Sequence, residues 1–358
     1  MLFATPTSTE LRDELERFGA LRDRLGGQAQ AAGPWLGALR RQWLASSAES
    51  SIEIEGFHVP ADERVALTSG RRQPDPGDRD RMALACYARA MDHVGAMCDD
   101  PAFRWLDRVL LDLHFDACWF QKGARPGRYR SGGVEVTSAG GGPPAYVGPP
   151  AEQVPALVDE LVAWLEHGDR DAHLLVRAAM AHLHLVSIHP FRDGNGRLSR
   201  IVQSLVLARG GLLAAELVSI EEYLGRNTAA YYATLQQVQA GSYRPERDAT
   251  PWVQLCVRAH VEQARRRLEQ LSEAARRWAT LERLVERRGW PDRLVIALEQ
   301  SAFEGVERSS YASEAEISAV TASADLRRLL DAGLLARTGR GRATRYLASE
   351  LLRAELRE

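Results

Sequence analysis

The chain has 358 residues, enough for about two to three domains and a sizeable core. Its 46 basic and 48 acidic residues leave a net charge of −2 and a pI near 6.5, which excludes a global electrostatic pull toward nucleic acid or membrane. No apolar run approaches membrane-spanning length, no signal-peptide pattern opens the chain, and Cys86, Cys98, Cys118 and Cys256 form no Cys-x-x-Cys pair, so a cytoplasmic protein with buried, reduced thiols is expected.

Residues 1–108 read as a mostly helical N-terminal region, interrupted near Gly56–Pro60 and over the polar loop Ser69–Asp80. Within it the run Ala45–Phe57 carries Ser51, Glu55 and Gly56, the glycine suiting a helix end. Residues 109–245 read as a helical core. Pro126-Gly-Arg-Tyr-Arg130 leads into Val134-Glu135-Val136-Thr137, a Gly/Pro-rich turn over Ser138–Pro144, and Ala145-Tyr146-Val147. Two short alternating runs around a glycine turn predict a β-hairpin.

The most informative stretch is His189-Pro-Phe-Arg-Asp-Gly-Asn-Gly-Arg-Leu-Ser-Arg200. The apolar run Ala179–Ile188 predicts a buried helix, and Pro190 predicts its end. A second helix starting near Asn195–Gly196 makes Asp193–Gly196 a loop feeding a helix N-terminus, where free N–H groups and a partial positive charge favour phosphate. Gly194 and Gly196 allow close backbone approach. Arg197 and Arg200 share one helix face, and their planar forks suit phosphate oxygens. Asp193 is an oxygen ligand of the kind Mg²⁺ takes beside phosphates. His189 can take a proton near neutral pH. His182 and His184 read as core-facing, hydrogen-bonded residues rather than zinc ligands, since nothing completes a zinc set.

Residues Ile220–Gln239 read as one amphipathic helix. Its adjacent Tyr231 and Tyr232 cannot face the same way, so one packs inside while the other is free to stack on a purine. A helical linker follows over 246–285, with Trp252 and Leu255 on its apolar side and Arg265–Arg267 on a solvated face. Over 286–358 the expected helices are Asp292–Gln300, Tyr311–Ala315 and Ser318–Asp331, then two short strands around a Gly/Arg turn.

The twelve-residue stretch resembles the central motif of Fic-domain proteins (the Fic/DOC family), His-Pro-Phe-x-Asp/Glu-Gly-Asn-Gly-Arg-x-x-Arg, and agrees at every fixed position. Gly196-Arg197 resembles the nucleotide-transferring branch, not the Doc-type kinases. The resemblance implies a mainly α fold, with a Fic-type helical core and a β-hairpin flap, and a protein adenylyltransferase moving AMP from ATP, with Mg²⁺, onto a Ser, Thr or Tyr hydroxyl. Removal of AMP and another nucleotide donor stay open. His189 would be the general base and Asp193 the metal ligand. Gly194, Asn195 and Gly196 would cradle phosphates, Arg197 would hold the β-phosphate and Arg200 the γ-phosphate. Phe191 would pack inward. Val134, Glu135, Val136 and Thr137 would line base and ribose while the flap pairs with the target protein's main chain. Tyr232 and Gln239 would touch the adenine, beside Tyr231. Ser51-Ile-Glu-Ile-Glu55-Gly56 resembles the family's inhibitory pattern in the class with an N-terminal inhibitory helix, so Glu55 would pair with Arg200 and block ATP. The tail resembles a winged helix-turn-helix, with Thr321, Ser323, Arg327 and Arg328 exposed on its reading helix and Arg337, Arg340, Arg342 and Arg345 in a basic wing. It would serve as a DNA-binding or protein-interaction module. A DNA-binding regulator with a nucleotide-sensing core is the competing class, and a homodimer is a further open partner.

Overall fold

The computed structural model describes all residues except 8–10, 138–142, 213–218, 304, 340–343 and 358. Helices run in chain order as α1 (Arg12–Gln30), α2 (Trp35–Glu53), α3 (Ala61–Thr68), α4 (Arg79–Cys98) and α5 (Asp107–Cys118), then α6 (Val154–His167), α7 (Leu174–Ile188) and α8 (Asn195–Arg209). They continue as α9 (Glu221–Arg226), α10 (Thr228–Gln239), α11 (Thr250–Arg287), α12 (Leu294–Phe303), α13 (Arg308–Glu314), α14 (Ala319–Asp331) and α15 (Glu350–Glu355). Strands β1 (Glu135–Val136) and β2 (Tyr146–Val147) pair antiparallel, as do β3 (Leu335–Thr338) and β4 (Arg345–Ala348). The fold is mainly α, as the sequence implied.

Two compact units divide the chain: Met1–Gly26 with Arg41–Arg267, and Gly27–Arg40 with Leu268–Glu358. The regions expected over 1–108 and 109–245 therefore share one unit, apart from Gly27–Arg40.

The first unit centres on α7 and α8, which pack on each other; α4 and α5 pack on each other and on α8. α7 is apolar almost all round, so it is buried almost all round. It ends at Ile188 because Pro190 follows, and its C-cap His189 takes left-handed angles (φ 50°). The loop turns back through Gly194 (φ 80°), the residue before α8. At the hairpin, Glu135 faces Val147 and Val136 faces Tyr146, while the turn residues 138–142 lie outside the described ones. Residues 220–239 make two helices where one was expected, broken at Asn227, whose side chain donates to the Tyr223 carbonyl. Arg267 also departs from expectation: it is fully buried, with Nη2 2.5 Å from Glu222 Oε1 and its guanidinium over the Trp43 ring. Only a paired cation tolerates that burial.

In the second unit Leu284, Leu298, Tyr311, Leu326, Leu329, Leu335 and Leu352 share a core. Val306 bridges Tyr346 on β4, adding a third short strand segment. Ser318 caps α14 by accepting from the Thr321 N–H, and Asp325 of α14 accepts from Arg293 and the Tyr311 hydroxyl. Ser323, Arg327 and Arg328 are exposed and Thr321 is half-buried. Of the expected wing, Arg337 is exposed and Arg345 pairs with Glu307 at 3.0 Å, whereas Arg340 and Arg342 lie outside the described residues.

Candidate active site

His189 follows directly on α7. Its Nδ1 lies 3.0 Å from the Val186 carbonyl, which only a protonated Nδ1 can satisfy, so Nε2 keeps its lone pair. Burial holds the imidazole pKa below its usual 6.5; Arg130 pushes the same way, and the Val186 carbonyl, Glu55 and Asp193 oppose. A neutral ring with one open nitrogen is what a general base requires.

The loop after it is closed by Asn195. Its amide accepts from the Phe191 N–H and donates to the Phe191 carbonyl, both at 2.9 Å. These two bonds shape the loop whose backbone was expected to cradle phosphate. Phe191 is fully buried and stacks on His114, with centroids 3.7 Å apart and planes at 8°. A Cβ on Gly194 would overlap the Cys118 sulfur. The Asp193 carboxylate is about half exposed. Its Oδ1 accepts from the Gly194 N–H at 2.6 Å and its Oδ2 from Gln121 at 2.7 Å. Gln121 accepts from Arg197 at 2.6 Å, so one amide spans the acid and the base.

Arg197 and Arg200 are both buried on the first turns of α8. Arg197 lies between the Phe57 and Phe120 rings, 5.6 Å from each centroid. Arg200 donates to Ser51 Oγ (2.7 Å), the Ser51 carbonyl (2.9 Å) and Glu55 Oε1 (2.8 Å). Each keeps one buried donor without a hydrogen-bond partner among the described residues: Nε of Arg197 and Nη1 of Arg200. Buried guanidinium N–H groups of this kind suit anionic oxygens.

Glu55 belongs to the end of α2. The Gly56 N–H bonds to the Glu53 carbonyl and the Phe57 N–H to the Ile52 carbonyl, with Gly56 at φ 84°. That is a Schellman cap, in which Glu55 is the C-cap residue. Burial alone would raise its pKa, but Arg200 and then Arg197 outweigh it and hold the carboxyl below its usual 4.5.

Residues 102–207 match the model of the Fic/DOC family. The chain carries a Fic/DOC domain. The protein adenylyltransferase fic-1 of Caenorhabditis elegans is 32% identical to it over 163 residues, 45% of this chain and 28% of that protein. A uridine 5'-monophosphate transferase of Xanthomonas campestris is 28% identical over 199 residues, 53% of this chain and 34% of that protein. The chain thus matches about a third of either relative. A crystal structure of a Fic family protein from Desulfovibrio desulfuricans aligns over 98% of both chains at 23% identity and a TM-score of 0.61, a likeness of fold.

Around the Fic motif the other expected residues are placed as follows. Val134 and Val136 are half-buried and Glu135 and Thr137 exposed on the hairpin. Tyr231 is the inward tyrosine: it is 2% exposed, with its hydroxyl 3.3 Å from His182 and its ring against Trp252. It belongs to the core, which corrects its place among the nucleotide contacts. Tyr232 is 45% exposed and its hydroxyl donates to the Ile54 carbonyl at 3.2 Å. Gln239 is buried and donates to Ser187 Oγ. His182 is hydrogen-bonded to Gln203 as expected. His184 is fully buried, and neither ring nitrogen has a hydrogen-bond partner among the described residues, contrary to expectation. Cys98 is half-buried, while the other three cysteines are buried. Sequence reasoning missed Gln121, His114 and Arg130. His114 accepts from the Gly127 N–H and donates to the Asp193 carbonyl (both 2.9 Å), with burial lowering its pKa to about 4.

Proposed function

We propose that this chain is an autoinhibited protein adenylyltransferase that transfers AMP from ATP to a Ser, Thr or Tyr hydroxyl of a target protein and of itself, in the cytoplasm. The observation that carries this reading is the 2.8 Å contact of Glu55 with Arg200, beside a histidine whose Nε2 is open. His189 Nε2 takes the proton from the target hydroxyl. The hydroxyl oxygen then bonds to the α-phosphorus, and the bond from that phosphorus to pyrophosphate breaks. Asp193, with carboxylate lone pairs facing a half-exposed surface, fits a magnesium ion shared with the phosphates, and no group of three metal-ligating side chains among the described residues offers a rival site. When bound, the ion supplies charge neutralisation on the phosphates. Arg197 and Arg200 have the spare donors to grip them, and the edge of β1 away from β2, unpaired among the described residues, would give a target segment a strand to pair with. Glu55 opposes this by holding Arg200.

Incubation with ATP labelled at the α-phosphate tests the reading. Label should appear on protein, rise in Glu55→Gly and vanish in His189→Ala. Equal labelling by His189→Ala would refute the general-base role. The same experiment with labelled UTP decides between donors. A second reading, a DNA-binding regulator with a nucleotide-sensing core, is favoured by the Ser318-capped α14, its exposed arginines and the β3–β4 hairpin, which we read as a winged helix-turn-helix. It predicts retarded duplex DNA whose mobility is restored by Arg327→Glu and Arg328→Glu together.

A further inference from the structure

We propose that Arg130 is a positioning residue that makes the flap and the backbone of His189 one rigid piece; the proposal rests on the transfer reading above. Arg130 is 8% exposed. Among the described residues its side chain forms no ion pair; its hydrogen-bond partners are main-chain carbonyls. Nε donates to His189 (2.8 Å), Nη1 to Gly132 (2.8 Å) and Nη2 to Pro149 (2.6 Å). Its own N–H donates to Pro190 at 2.9 Å. Gly132 precedes β1 and Pro149 follows β2, so one guanidinium closes the base of the hairpin. The third carbonyl belongs to His189 itself.

That residue sits at φ 50°, a region disfavoured for a residue that bears a side chain and kept only where surroundings hold it. Gly148 shows how closely the parts meet. A Cβ there would lie 2.6 Å from Val134 Cγ1, 3.3 Å from Arg130 Nη2 and 3.6 Å from His189 Cβ. The second arm is tied to the same helix end, because the Tyr146 hydroxyl donates to the Ser187 carbonyl. A planar fork can serve three carbonyls at once, whereas an ammonium on a flexible stem is a single point charge. Arg130 therefore sets where a strand-paired hydroxyl stands relative to Nε2, while Arg197 and Arg200, on α8, handle the phosphates.

The test compares Glu55→Gly with Glu55→Gly/Arg130→Lys, using ATP labelled at the α-phosphate. Self-labelling should fall on the order of 100-fold, the scale of a small misplacement at a reacting centre. ATP affinity by calorimetry should stay within about twofold, since phosphate grip is separate. Amide exchange at Ala145, Val147 and Gly148 should accelerate. Unchanged labelling, or ATP affinity falling in step with it, overturns the proposal, the second outcome making Arg130 a general support of the fold. If Glu55→Gly itself transfers no label, the transfer reading fails; flap exchange then still decides Arg130, since equal rates in both proteins would refute the rigid coupling.

Discussion

A Cβ on Gly196 would stand 2.5 Å from Oε1 of Glu55. The C-cap carboxylate of α2 thus rests against the first turn of α8, in the space that the proposed phosphate would need. Glu55→Gln removes the charge and keeps the shape. Arg200 then loses its carboxylate partner while remaining buried, and breaking a buried pair on one side costs about 3–5 kcal/mol. The melting temperature should drop, and saturating ATP should restore much of the loss, since a ligand that binds only the folded state stabilises it. Calorimetry with and without ATP checks both; an ATP affinity no tighter than wild type would refute the competition.

Proton uptake should mark two windows. The pKa of His189 is below 6.5, so the ring is neutral at pH 7 and transfer by Glu55→Gly should be flat there, falling only as pH drops below 6.5. An acid limb centred above 6.5 would contradict this. The pKa of Glu55 is depressed below 4.5, so its ion pair stabilises the fold fully above that value and fades as pH falls through the lower, folded-state one. The stability gap between wild type and Glu55→Gln should be constant from pH 5 to 7 and narrow only in stronger acid. Chemical denaturation across that range measures it.

Tyr232→Phe removes the donor to the Ile54 carbonyl. One neutral hydrogen bond is worth about 0.5–1.5 kcal/mol net. The last turn of α2 should exchange its amides faster, and wild-type self-labelling should increase severalfold, unless the hydroxyl also serves the nucleobase. Running the same substitution on Glu55→Gly separates the two: loss of labelling there reports the base contact alone.

Gln121→Ala deletes the amide that spans Asp193 and Arg197. Outer-sphere partners of metal ligands typically tune affinity about 10–100-fold, so the magnesium-dependent part of ATP binding should weaken by about tenfold at least. Binding without magnesium should change less. Titrations at both conditions test the difference.

His184→Leu should stabilise the protein. The imidazole is fully buried without hydrogen-bond partners among the described residues, against Trp164 at 4.8 Å, and its pKa is lowered by burial to about 3. An unsatisfied buried polar group costs about 1–3 kcal/mol, which an apolar side chain avoids. A lower melting temperature would show that the ring has a partner role after all.

The motif from His189 to Arg200 was legible because its parts act locally, within a helix end, a turn and the next helix start. The hairpin was legible for the same reason: its two runs flank one glycine-rich turn. The supporting residues were not. Gln121 reaches Asp193 across 72 positions and Arg130 reaches His189 across 59, and neither has a local pattern that marks it. Periodicity divided the roles of Tyr231 and Tyr232 but only the family resemblance told them apart, because adjacent helix positions differ by only a rotation. The break at Asn227 was missed because Gly225 and Asn227 interrupt a pattern that is otherwise continuous. Arg267 looked solvated since its partner, Glu222, lies 45 positions away.

The Schellman cap places the Glu55 carboxylate on the outermost turn of its helix, where fraying begins. A competitor of the kind proposed, carried on the same chain, cannot be diluted away, so its strength would be fixed by how often that turn opens. Gentle heating or a trace of urea should then tighten nucleotide binding before either one harms the core, giving a protein that wakes as its edge loosens.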